Sequence, residues 1–233
     1  MTTLSKEAVL ARADELLPQF HAAIADIPLE AGFGGIWESE MFLFYAVVRP
    51  LAPKQILESG RARGKSTLML AKCFPGARIV SIELDRDTEN ARAAEAKLKP
   101  HANVDLLYGD SRALMLQRLQ HGDAVLIDGP KDFRAMKLAV DLLATNKPSV
   151  VFVHDFPRGS GVRCFAEKNW PGVFFGDDPA FEKFRAIDAA RDPRPADARK
   201  GYGVFAIFPP GLPEPKWRLR LKMFFAEIFS ALR

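Results

Sequence analysis

Short runs of apolar residues recur along the chain, and each is followed by a stretch in which apolar positions return at helical spacing. "QILE" precedes "KSTLMLAKCF", "RIVSIE" precedes "DTENARAAEAKL", "VDLLYG" precedes "SRALMLQRLQ", and "DAVLID" precedes "FRAMKLAVDLL", before a further run, "PSVVFVHD". The runs are almost wholly apolar instead of alternating, as strands covered on both faces must be. Strand and helix in that rhythm predict an α/β fold, a parallel sheet with helices on each side. Ahead of the first run, "SKEAVLARADELLPQFHAAIADI" and "ESEMFLFYAVVRPL" have helical spacing and are separated by the glycine-rich "EAGFGGIW". Past Asp155 the rhythm loosens into "PRGSGVRCFAEKNWPG". A helix is predicted near Asp178 to Ala190, then a Pro/Arg/Asp-rich loop and a last strand, "YGVFAIF".

Composition narrows the setting. At 233 residues, 48% hydrophobic and 27% charged, the chain has ordinary globular composition and can bury one sizeable core. The longest unbroken apolar stretch, Met41 to Val48, is far too short to span a bilayer. The N-terminus lacks the basic region and long apolar run of an export signal. Cys73 and Cys164 are the only cysteines, and no His/Cys spacing suggests zinc or a disulfide framework. A reducing, cytoplasmic setting is the expectation. The net charge of +4 is concentrated at the C-terminus, where Lys216, Arg218, Arg220, Lys222 and Arg233 face Glu227 alone. The remainder is neutral, which argues against a nucleic-acid surface.

In an open parallel sheet, ligands bind beyond the carboxyl ends of the strands. The turns there are Glu58 to Gly64, Glu83 to Asp85, Gly109 to Ser111, Asp128 to Lys131 and His154 to Phe156, and they are rich in acids. "ESGRARGKST" looks at first like a phosphate-binding loop. Such a loop needs four residues between its glycines, to wrap its N–H groups around a phosphate, and here Gly60 and Gly64 have three. Glu58 would also oppose a phosphate. The Gly-x-Gly-x-x-Gly of dinucleotide sites is absent.

From about Pro53 to Phe156 the chain resembles the class I S-adenosylmethionine-dependent methyltransferases, on the acid-x-Gly-x-x-x-Gly turn at Glu58, Gly60 and Gly64 and the turns "VSIELD" and "YGDS". The resemblance implies a Rossmann-like, doubly wound, mostly parallel seven-stranded sheet. It places Glu58 near the methionine end of the cofactor, with Gly60 and Gly64 giving close backbone approach. Glu83 would accept both ribose hydroxyls, and Asp110 and Ser111 would meet the adenine. On their own, these acids could equally be helix N-terminal residues and the glycines ordinary turn residues.

The fourth turn, "LIDGPKDF", resembles the Asp-x-x-Lys-Asp segment of catechol-type, metal-dependent O-methyltransferases, whose Asp-Asn pair falls at "VFVHDF". Carried over, Asp128 and Asp155 would be Mg²⁺ ligands and Lys131 the base that takes the acceptor's hydroxyl proton. Phe156 departs from the pattern, since a phenyl ring cannot hold a metal; His154 or water would have to substitute. The implied activity is methyl transfer to a hydroxyl of a small molecule or sugar-like acceptor. A P-loop phosphotransferase and a cofactor-binding relative without transfer activity stay open. Acceptor specificity would come from the irregular regions, where Phe33, Trp37, Trp170, Phe174 and Phe175 supply aromatic groups. The expected organisation is an N-terminal helical extension over 1–52, the cofactor-binding domain over 53–213 and a basic amphipathic helix over 214–233. On that last helix Trp217, Leu221, Phe224, Phe225, Ile228 and Leu232 gather on one side. Packing on this domain, pairing in a homodimer and peripheral contact with a membrane are its open uses; nucleic acid is disfavoured, because the segment lacks base-reading groups.

Overall fold

The computed structural model describes residues 4–28, 35–191 and 204–231. Phe33, Leu232, Arg233, the Pro/Arg/Asp-rich loop and the first two residues of "YGVFAIF" lie outside the described residues.

Strands β1 (Gln55–Ser59), β2 (Arg78–Glu83), β3 (Val104–Tyr108), β4 (Ala124–Ile127) and β5 (Val150–Val153) run parallel. With β6 (Phe174–Phe175) and β7 (Ala206–Phe208) they make one seven-stranded sheet in the order β3-β2-β1-β4-β5-β7-β6, with β7 antiparallel to both its neighbours. This is the Rossmann-like architecture expected. The strand order reverses between β1 and β4, the point in open parallel sheets beyond whose carboxyl edge ligands bind.

The doubly apolar runs have their reason in two cores. In β4 and β5, Leu126 and Phe152 point into one core while Val125, Ile127, Val151 and Val153 point into the other. The first core is covered by α1 (Lys6–Ile24), α2 (Glu38–Val48), α3 (Lys65–Cys73) and α4 (Glu89–Leu98). Helix α1 starts at Ser5, whose side chain accepts the Ala8 N–H, and buries the stripe Val9, Ala13, Leu16, Phe20 and Ile24. Helix α2 is buried along its whole length, with Phe44 4.6 Å from Phe152 between ring centroids. An all-round apolar helix has to be interior, so the helical preface is one layer of the domain.

The second core is covered by α5 (Ser111–Arg118), α6 (Asp132–Leu143), α7 (Gly161–Asn169) and, after the short α8 (Ala186–Arg191), by α9 (Lys216–Ala231). Helix α7 and strand β6 arise where the sequence has no clear rhythm: Ser160 caps α7 by accepting the Arg163 N–H, and β6 is only two residues long. Trp37, Trp170, Phe174 and Phe175, considered for acceptor contact, are buried. Helix α9 corrects one expectation. Leu219 and Met223 bury it, whereas Trp217, Leu221, Phe224, Phe225 and Ile228 face outward, so that stripe is not packed on this domain. Cys73 is buried, Cys164 is exposed, and both are free thiols. Among the described residues no helix is long and apolar enough to cross a membrane.

Candidate active site

The turn after β1 is built around two carboxylates with different surroundings. Glu58 has no exposed surface: its Oε2 accepts from Thr67 Oγ1 at 2.5 Å and Ser81 Oγ at 2.6 Å, and burial pushes its carboxyl above the usual range. It lies beneath the turn and does not line the cleft above. Glu83 is half-buried at the end of β2, with Oε2 accepting the Ala62 N–H at 2.8 Å and Oε1 the Leu84 N–H at 2.9 Å. Each oxygen keeps a further lone pair, so a vicinal diol can still be received. The occupied Ala62 N–H is one that a phosphate cradle would need free. Arg61, absent from the sequence reading, is almost fully buried; its Nη1 donates to the Ser81 carbonyl at 2.7 Å and its guanidinium lies over the Tyr108 ring.

The glycines serve the protein's own backbone. Gly60 has φ +83°, and a Cβ there would sit 2.6 Å from the Gly129 nitrogen, so it lets the turns after β1 and β4 touch. Gly64, with φ +79°, lets α4 approach, since a Cβ would meet Leu98 and Ala94. Asp110 caps α5 by accepting the Arg112 N–H, and Ser111 is that helix's first residue. A cleft of about 560 Å³ nevertheless gathers Gly60, Glu83, Asp110, Ser111, Gly129 and Lys131 on one wall system, with exposed Leu84 beside them.

At one end of this cleft the turns after β4 and β5 bring Asp128, Lys131, His154 and Asp155 together. Lys131 Nζ lies 2.6 Å from Asp128 Oδ1 and 2.5 Å from Asp155 Oδ2. Asp155 sits in the left-handed region, φ +62°, uncommon for a non-glycine residue and of the kind that gathers at functional sites. His154 is buried, its Nδ1 2.7 Å from Asp128 Oδ1 and its Nε2 3.3 Å from both oxygens of Glu40. Glu40 comes from α2 and also accepts the Trp37 N–H. No sequence expectation included it; two acids inside the apolar "ESEMFLF" are the signal that marks a buried carboxylate.

Electrostatics follow from this packing. Burial alone would lower the His154 pKa, but the Glu40 and Asp128 carboxylates override it and push the pKa up to about 10. Burial likewise opposes charge on Asp128, yet His154 and Lys131 hold its carboxyl below the usual range. Lys131 is partly desolvated, and Asp128 and Asp155 still raise its pKa, so it is an ammonium at neutral pH. Asp128 and Asp155, expected to meet over Mg²⁺, meet over that ammonium. One ligand atom each of Asp128, His154 and Asp155 lie within 4.8 Å of one another. Phe156 is fully buried and packs on Phe208, so it leaves the third position without an oxygen.

Residues 57–156 match the family model described as a methyltransferase domain. No curated protein matches. Among solved structures, the O-methyltransferase TomG of Streptomyces achromogenes, solved with S-adenosylmethionine, is 20% identical over 90% of this chain and 93% of its own, with a TM-score of 0.46. The Bacillus cereus O-methyltransferase, solved with S-adenosylhomocysteine, is 19% identical over 85% and 90%, with a TM-score of 0.48. The Podospora anserina methyltransferase PaMTH1 is 20% identical over 90% and 98%, with a TM-score of 0.43.

Proposed function

We propose, since residues 57–156 match a family model described as a methyltransferase domain, that this protein moves the methyl group of S-adenosylmethionine to a hydroxyl oxygen of a small-molecule or sugar-like acceptor. The observation that carries the reading is the single cleft in which Glu83, Asp110, Ser111 and Lys131 converge. Glu83 is the ribose acceptor, Asp110 and Ser111 border the base, and Leu84 offers it an apolar face. Gly60 and Gly64 act by holding the cleft's wall together, and Glu58 by fixing the turn from below. S-adenosylmethionine supplies an electrophilic methyl on a sulfonium, and the protein's task is to present an oxygen nucleophile to it.

An acceptor hydroxyl at Lys131 would lie beside an ammonium and beside Asp155, whose side chain is 42% exposed. In this reading the ammonium stabilises negative charge developing on the oxygen, and Asp155 accepts the proton. A lysine acting as base would first have to lose a proton that two carboxylates retain. Mg²⁺ does not suit this donor set. It requires near-octahedral oxygen ligands, whereas Phe156 is buried, His154 Nδ1 already lies against Asp128, and Lys131 already bridges the two acids.

Thermal melts with S-adenosylhomocysteine and with ATP plus Mg²⁺ test the reading. At a hundredfold excess over Kd, S-adenosylhomocysteine should stabilise the fold by about 2.7 kcal/mol. Glu83→Ala should weaken its binding by about 1.5–3 kcal/mol, the worth of hydrogen bonds to a charged group. Stabilisation by ATP in place of S-adenosylhomocysteine would revive the phosphotransferase alternative. Binding without transfer to any hydroxyl would leave a non-catalytic relative.

A further inference from the structure

Among the described residues, six of the eight large hydrophobic side chains that stand exposed belong to α9: Trp217, Leu221, Phe224, Phe225, Ile228 and Phe229. At helical pitch they fall within an arc of about 140°. A monomeric surface rarely keeps so contiguous an apolar patch. The helix is not detached, because Leu219 and Met223 are buried on its opposite face, and Lys216 and Arg220 reach the buried Asp141 at 2.9 and 2.5 Å. The stripe is therefore held outward by a fixed scaffold.

We propose that α9 is a docking surface for an anionic lipid bilayer, lying in the interface plane with this stripe inserted. Charge chooses the occupant. Arg218 falls within that arc at the helix's first turn and forms no ion pair among the described residues, and its guanidinium lies over Trp217. Half-exposed Lys222 borders it further along and is paired with Glu214 at 2.6 Å. The helix's one acid, Glu227, is turned to Lys137 at 2.6 Å. A second copy laid stripe to stripe would set like cations together, with the helix's own carboxylate already paired. Lipid phosphates would meet them, and a Trp/Phe face bounded by Lys and Arg is the composition of interfacial helices. Phe225 and Phe229 also wall a cleft of about 1110 Å³ that reaches Lys131, so docking would set the lipid beside the candidate active site.

Flotation of the full chain tests this with vesicles of phosphatidylcholine alone and of phosphatidylcholine mixed with phosphatidylglycerol. The chain should float with the anionic vesicles and about tenfold less with the neutral ones or in high salt. Removing α9 would uncover Leu219, Met223 and Asp141, so the variants are point changes on the exposed face. Trp217→Ser with Phe224→Ser and Phe229→Ser should abolish flotation while the melting temperature is kept. Arg218→Glu with Lys222→Glu should remove the preference for anionic vesicles. Absence of flotation, or flotation indifferent to both variants, overturns the proposal. So does a wild-type dimer by light scattering that the triple serine variant converts to monomer without either binding vesicles; the stripe would then join two copies.

Discussion

Lys131 stands where two carboxylates converge, and its protonation decides what it can do. Because Asp128 and Asp155 raise its pKa above the ordinary lysine value, it has no lone pair to offer near neutrality. Lys131→Arg, which keeps the charge but cannot act as a base, separates the two roles. With a hydroxyl acceptor that supports turnover, the arginine variant should keep most of kcat. Lys131→Ala should lose about 10²–10³-fold, the range for removing one group that stabilises an oxyanion. EDTA should leave the wild-type rate unchanged. An arginine variant as inactive as alanine would restore lysine as the base, and loss of rate in EDTA would restore the metal. The residue types at this site were legible: an acid, a lysine three positions later and an acid closing the next strand. Which cation the two acids hold was not, because that depends on where the Lys131 side chain goes.

At the scale of elements, the sheet's carboxyl edge depends on two turns being in contact. Gly60 combines a positive φ with a Cβ position 2.6 Å from the Gly129 backbone, where nothing flexible can give way. Gly60→Ala should therefore cost about 1–3 kcal/mol in urea melts, and should weaken S-adenosylhomocysteine binding as the cleft wall shifts. At Gly64 the nearest atom is Leu98 Cδ1 at 3.0 Å, the end of a side chain that can move. The penalty there should be the smaller of the two. Equal stability of Gly60→Ala and wild type would mean the turns are free to separate. The glycine spacing was visible in the sequence. That the glycines serve contacts between turns and between helices required the structure.

At the scale of the molecule, the chain Glu40–His154–Asp128 ties the helical layer at the N-terminus to the carboxyl edge of the sheet. Burial pushes the Glu40 carboxyl above its usual range while His154 pulls it down, so the two titrate as a coupled pair. The imidazole, ordinarily near 6.5, is raised to about 10 in the folded state. Its folded pKa exceeds its unfolded one, so the stability it contributes is complete below about pH 6.5 and is lost as pH rises through about 10. Urea melts across that window should show wild-type stability falling with pH, and His154→Gln should flatten the fall. A wild-type profile parallel to that of the variant would mean that His154 is not held between two carboxylates.

The sequence by itself determined the alternation of strand and helix, the double burial of the strands and the gathering of acids in the turns beyond them. These are local properties, carried by the spacing of apolar residues and by the residue types that close each run. Tertiary structure decided the rest. It buried Glu58 beneath the turn after β1, turned the apolar stripe of α9 outward, and joined Glu40 to His154 across 114 positions of chain. Burial and choice of partner are properties of packing between distant segments, and no periodicity within one segment records them.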